Sequence, residues 1–293
     1  MRNNIDERWL GFTALFSTGL IMASFGVLIR WLDTELSAVQ QIGLRYALAL
    51  MLAVLWVLWS RPAYRTKGVN GFLLLGYSFA FPLGVIFFTY AVVSTKIAVA
   101  VFALYGASLL VAQAGGILVF GERLTRHRMG VLLLCFVGLV CFVAPAWGEN
   151  SIGWGFFRCG GGIMRWMREF FRKYLTGLIN HRVLVLIQLL GGLVITAIIM
   201  LMASAPIMIS ISWTTWGVAL VFGALILVAS YLPLIGFRHF DLGLGAVVLA
   251  SELAFAPLFA ILFFSEYPTL TECAAGVLIL AAVIWASRPE NAV

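Results

Sequence analysis

ILVFGERLT, residues 117–125, and ILFFSEYPT, residues 261–269, are two near-copies of one ending. In each, an apolar run stops on a carboxylate, Glu122 or Glu266, and a threonine follows three residues later, Thr125 or Thr269. A shift of 144 carries one onto the other in a chain of 293 residues. The same shift pairs Leu109 with Leu253, Ala112 with Ala256, Leu118 with Leu262 and Phe120 with Phe264. A shift of 146 carries GVLLL at 130–134 onto GVLIL at 276–280, and a shift of 142 carries GLIM at 19–22 onto GGIM at 161–164. The chain reads as two tandem units of nearly equal length, residues 1–148 and 149–293.

Composition says what the units are made of. Hydrophobic residues make up 63% of the chain and charged residues 11%, against roughly 25% charged in soluble domains. No water-soluble fold hides that much apolar surface, so the chain is an integral membrane protein. The net charge of +7 serves to orient the chain, because basic residues stay on the cytoplasmic side. No basic patch is interleaved with aromatics in a polar context, which excludes nucleic acid as a partner. The first apolar run, about 20 residues long, has the length of a span and exceeds a signal-peptide core. Cys135, Cys141, Cys159 and Cys273 show no CxxC spacing; they read as small packing residues, with no disulfide or metal site.

Hydropathy gives ten candidate spans, at 9–29, 39–59, 71–93, 97–120, 130–147, 152–174, 183–203, 213–236, 244–264 and 270–287. The runs are continuously apolar without period-two alternation, so they are helices and not barrel strands. The connections are too short for a soluble domain. The sixth segment is the ambiguous one: Arg158, Arg165, Arg168, Glu169, Arg172 and Lys173 fall within an arc of roughly 140° on a helix. It either spans with one cationic face turned to water or protein, or lies in the interface. Ten spans with a cytoplasmic N-terminus put most of the 19 basic residues, including Arg8, Arg61, Arg126, Arg168, Arg172, Arg182 and Arg288, at inner ends. An interfacial sixth segment would turn its basic cluster and Arg182 outward, so the positive-inside rule favours ten spans. An odd number of helices per unit inserts the second unit upside down. The expected fold is therefore all-α, ten transmembrane helices as two inverted five-helix repeats, with both termini cytoplasmic and any substrate site near the midplane between the halves.

The pattern of a long apolar helix ending in GER-L-T, a short basic loop and then G-V-L-L resembles the EamA units of the drug/metabolite transporter superfamily. QQIGLRYALAL at 40–50 is similar to the arginine-aromatic start of the second helix in that family. The resemblance covers essentially the whole chain. It departs where the family often has a proline about 13 residues before the terminal glutamate: here Leu109 and Leu253 stand there, with Pro257 displaced. The sixth span is also more basic than is usual. The resemblance implies a secondary transporter of amino acids or other small metabolites in the plasma (inner) membrane.

Sparse polar residues mark the candidate site. Glu252 lies roughly 12 Å into the ninth span at 1.5 Å per residue. It is the acid expected near mid-membrane, and its repeat partner is the neutral Ser108. An intramembrane carboxylate is costly and by default functional, and a raised pKa would suit a proton carrier; the alternative is a structural pair with Arg165 or Arg45. Arg45 either attracts a substrate carboxylate or bonds helix-end carbonyls. Arg165, if it faces an aqueous cavity, favours anionic or zwitterionic cargo, and its neighbour Trp166 either stacks on cargo or packs. Tyr77, Ser78, Tyr105, Ser108, Gln188, Ser230 and Tyr231 supply donors and acceptors for a polar path, each with interhelical bonding as the alternative. Ala112, Gly116, Ala256 and Ala260 are read as packing between the fourth and ninth helices. Glu122 and Glu266 are expected to end helices and fix loops at opposite membrane faces. No GxxxxGK[ST] motif is present, so ATP does not drive the protein directly; protons are the candidate coupling ion. The other class, an intramembrane enzyme or structural subunit, would need a nucleophile-base pair or paired carboxylates at depth. No cofactor is expected.

Overall fold

The computed structural model describes residues 2–60, 69–94, 108, 112–113, 115–143, 164, 167–202, 211–267 and 269–288. Tyr105, Arg165 and Trp166 lie outside the described residues. The helices are α1 (Arg2–Ala23), α2 (Phe25–Leu32), α3 (Ala38–Ser60), α4 (Gly71–Ser94), α5 (Arg126–Val143), α6 (His181–Met202), α7 (Trp213–His239), α8 (Leu242–Leu249), α9 (Ser251–Phe264) and α10 (Leu270–Ser287). Residues 115–120 and 167–175 are helical too, and no strand occurs among the described residues. α1 and α2 continue one another across Ser24, and α8 and α9 across Ala250. Among the described residues, seven helical stretches, including Glu7–Leu32 and Leu242–Phe264, are long and apolar enough to cross a membrane.

The helices form because a chain this apolar must satisfy its backbone polar groups within each segment. Their outward faces carry large apolar side chains, among them Trp59 at 87% and Leu270 at 90% exposure. Such faces would aggregate in water and are at rest against lipid. The protein is an all-α, multi-pass membrane protein.

Contacts between helix ends define two ends of the bundle. At the basic end, Arg8 donates to the carbonyl of Arg288 at 2.8 Å, His127 lies 3.1 Å from the carbonyl of Trp285, and Lys173 reaches Glu122 at 2.8 Å. At the opposite end, Arg30 pairs with Glu266, and the Ser212 amide donates to Glu35 at 2.9 Å. Glu122 and Glu266 therefore lie at opposite ends.

Small residues set the helix pairings. α5 and α10 run antiparallel, and a Cβ on Gly130 would stand 2.5 Å from the Trp285 ring while Gly138 meets Ile279 and Leu278. α3 and α6 are also antiparallel, with Gly43 against Thr196 and Met200. α3 runs parallel to α7, with Gly223 against Leu48 and Ala49 and Trp56 edge-on to Tyr231. α4 runs parallel to α6, joined by Tyr77 and Gln188.

The two endings share one geometry. Gly121 has φ +66° and Ser265 φ +54°, the left-handed turn that stops a helix. The next amide then reaches back to the carbonyl six residues before it: Glu122 to Gly116 at 3.0 Å, Glu266 to Ala260 at 3.3 Å. Each threonine then caps the helix that follows. Thr125 accepts from the Arg128 amide at 3.2 Å and Thr269 from the Glu272 amide at 3.3 Å. The Glu272 carboxylate returns to the Thr269 amide, completing a capping box. Gly116 makes room for the Glu122 carboxylate, 2.5 Å from where its Cβ would be, so its small size serves its own turn.

Candidate functional site

Three of the expected polar residues meet in the interior, one from each of three helices. Tyr77 of α4 donates to Gln188 Oε1 of α6 at 3.0 Å, and Gln188 Nε2 donates to Ser230 of α7 at 2.7 Å. Arg172 completes the set, its Nη2 donating to Gln188 Oε1 at 3.4 Å. Tyr77, Gln188, Ser230 and Arg172 are all wholly buried. The glutamine amide has both of its ends used, so this group locks α4, α6 and α7 together.

Beside it lies a buried charge cluster. Arg168 and Arg172 were expected at the cytoplasmic ends with the other basic residues, on a helix face turned to water or protein. Both arginines are buried against protein, and Glu169 is buried between them. Arg168 Nε donates to Glu169 at 2.6 Å, and Arg172 Nη1 reaches both its oxygens at 3.1 and 3.2 Å. Both guanidinium groups also lie over the Phe81 ring of α4, at 5.1 and 5.3 Å. The signal was the narrow arc of charges at helical spacing, which marks a protein-facing side as well as a watery one.

Arg45 of α3 is wholly buried. It donates to the Thr89 hydroxyl of α4 and lies 4.7 Å over the Phe222 ring of α7. Neither Thr89 nor Phe222 was singled out by sequence, since nothing separates them from other residues of apolar helices. A shift of 143 carries Arg45 onto Gln188, and the two occupy similar settings. Each bonds a hydroxyl on the following helix, Thr89 or Ser230, and each meets an aromatic residue of a third helix, Phe222 or Tyr77.

Glu252 is buried and lines a small central cavity of about 40 Å³. The other walls are Met22 and Phe25 of α1 and α2, Ala80, Phe81, Gly84, Val85 and Phe88 of α4, and Arg168. The cavity thus lies where residues of α1, α2 and α4 face Arg168 and Glu252. Among the described residues, the other expected ones are placed elsewhere. Ser78 bonds its own helix at the Leu75 carbonyl, Tyr231 stands among Trp56 and His181 toward the basic end, and Ser108 is buried.

At the basic end Glu122 gathers a second cluster. It accepts from Lys173 at 2.8 Å, Arg128 at 3.1 Å, and the amides of Leu242 and Gly243 at 2.7 and 3.2 Å. Those amides open α8, so the carboxylate also meets that helix's positive end. Burial pushes its pKa up, but the Lys173 and amide bonds outweigh that and hold it below the usual carboxylate value. Arg128 also pairs with Asp241. A cavity of about 440 Å³ opens alongside, lined by Glu7, Arg8, Lys173, Phe237, Arg238, His239, Phe240 and Asp241.

No family model matches the chain, and no curated protein does. A solved crystal structure of a protein is similar over 96% of this chain and 98% of that one, with a TM-score of 0.76 at 16% identity. At that identity the likeness concerns the fold alone.

Proposed function

We propose that the protein is a secondary transporter that moves a small metabolite, an amino acid or related small organic molecule, across the plasma (inner) membrane, in the direction of export. The observation that carries this is the central cavity, with Arg168 and Glu252 in its wall. A charged side chain facing lipid costs about 3 kcal/mol on insertion scales, so charges at depth are turned inward for a purpose. In this reading the halves rock about the cavity in alternating access.

An inverted repeat of five plus five helices is supported by the pairings. Repeat-equivalent helices, α3 with α6 and α5 with α10, pack antiparallel on each other. The parallel pair α3 and α7 is matched by α6 and α4. Ten crossings are supported by the helix ends. α4 leaves the basic end and Glu122 is back at it; α5 leaves the basic end and Lys173 is back at it. Arg8, Arg128, Lys173, Arg182, Arg238 and Arg288 gather at that end, which supports a cytoplasmic side there, with both termini. The doubled GER-L-T type ending supports an EamA-type member of the drug/metabolite transporter superfamily.

Glu252 is the proposed proton carrier of this transporter. In proteoliposomes the parent protein carries out saturable counterflow of a labelled amino acid that responds to an imposed pH gradient. Glu252→Gln keeps counterflow and loses the response, since glutamine exchanges no proton. Counterflow no faster than in empty liposomes, across amino acids and nucleosides, removes the transport reading. A gradient response unchanged in Glu252→Gln removes Glu252 from coupling.

A further inference from the structure

We propose that Arg45 and Gln41 form the docking point for a carboxylate, so that the cargo is a small organic anion or zwitterion. This rests on the transport reading and narrows it to a chemical class.

The first ground is a pair of unfinished polar groups. Arg45 uses Nη2 on Thr89, and its Nε and Nη1 have no hydrogen-bond partner. Gln41 stands one turn earlier on the same face of α3 and is also wholly buried. Neither its Oε1 nor its Nε2 has a partner. More than nine in ten buried polar groups in native proteins are bonded, and here two neighbours are unsatisfied together. The equivalent group in the other unit, Gln188, has both ends occupied.

The second ground is charge. Arg168 and Arg172 share Glu169, whereas Arg45 has no carboxylate within ion-pair distance among the described residues. An uncompensated cation out of water is unfavourable. A monoanion cancels it, and a carboxylate fits a guanidinium through two parallel bonds. Gln41 adds an amide donor for the same oxygen atoms.

The third ground is the route. Phe25 lines the central cavity and packs on Phe222 with centroids 4.8 Å apart, and Arg45 lies over the same Phe222 ring. Val85, another wall residue, accepts from the Thr89 hydroxyl that holds Arg45. The guanidinium is one aromatic layer from the cavity. At about 40 Å³ the cavity has room for a few waters, so cargo reaches Arg45 when Phe25 and Phe222 part.

The test uses purified full-length protein and matched probes: L-leucine against leucinamide, and phenylacetate against phenylacetamide, within a wider panel of amino and organic acids. Thermal unfolding is followed by tryptophan fluorescence. The parent is stabilised by carboxylates and not by their amides. Arg45→Gln weakens carboxylate binding tenfold or more, and Gln41→Leu several-fold. Without any probe, Arg45→Gln and Arg45→Met unfold at higher temperature than the parent, because an uncompensated charge has gone. Amides that bind as well as acids, no acid of the panel binding, or ligand-free variants both less stable than the parent each overturn the proposal. Counterflow tells its failure from that of the transport reading. Cargo carried equally by parent and Arg45→Gln removes the docking point and leaves transport. Carboxylate binding without counterflow removes transport and leaves the docking point.

Discussion

Glu122 and Glu266 follow the same left-handed turn at opposite ends of the bundle, in different surroundings. The Glu122 side chain is 4% exposed and holds Lys173, Arg128 and two amides of α8. The Glu266 side chain is 46% exposed and, among the described residues, pairs with Arg30 alone. The shared part is local backbone geometry, which a short sequence encodes by itself. The unshared part is tertiary: Lys173 and the start of α8 come from distant parts of the sequence and close over Glu122. Two similar endings thus share a helix stop while each carboxylate takes its own partners. At the basic end that role is to tie residues 115–128, residues 167–175 and the α7–α8 connection together.

The largest expected effect follows from that difference. Glu122→Gln leaves Lys173 and Arg128 without their common carboxylate and lowers stability by about 3 kcal/mol, the scale for breaking a buried ion pair. Chemical unfolding in detergent measures it. The pH dependence has a definite sign. Because the folded-state pKa of Glu122 is lowered from the ordinary 4.5, its contribution is complete above that value. It is lost as the pH falls through the lowered one. The gap between parent and Glu122→Gln therefore closes on acidification below about pH 4.5 and stays constant above it. A gap unchanged down to acid pH would mean that the carboxylate is not what stabilises this end.

The next effect tests what the endings share. Gly121 and Ser265 both hold positive φ, where a side chain costs about 1 kcal/mol. No atom lies within 4 Å of a Cβ built on Gly121, so Gly121→Ala measures backbone strain free of clashes. It should destabilise by about 1 kcal/mol, and Ser265→Gly should stabilise by a similar amount. Effects of the same sign at both sites would break the equivalence.

The smallest effect is at Glu266. Glu266→Gln removes one exposed ion pair and changes stability by about 0–1 kcal/mol, with the loss fading in high salt. A loss as large as that of Glu122→Gln would end the contrast.

How much of this was legible in the sequence depends on the range of the interaction. The apolar helices and the carboxylate that ends each of the two runs are local and were readable; the caps at Thr125 and Thr269 are local too, but were not read. Tyr77, Gln188 and Ser230 stood out because a polar residue in an apolar helix needs a partner, and they found one another. The Arg168–Glu169–Arg172 cluster was hidden by an ambiguity of charge: a basic run near a span end fits a cytoplasmic rim and a protein-facing helix side equally well. Gln41 carried no more signal than its neighbour Gln40. Thr89, Phe81 and Phe222 owe their roles to which guanidinium they touch, which no spacing within one helix reveals. The left-handed Ser265 was not foreseeable from residue type, since glycine is the usual choice there.

The central claim is that one ending is used twice, once on each side of the membrane. Leu124 and Tyr267 flank the two glutamates and are both exposed. With Cys135, Cys141, Cys159 and Cys273 replaced, single cysteines are introduced as Leu124→Cys and Tyr267→Cys. They are then labelled in intact cells with a membrane-impermeant maleimide. The account predicts that Tyr267→Cys is labelled from outside and that Leu124→Cys reacts only after the membrane is opened. Labelling of both from the same side would contradict it.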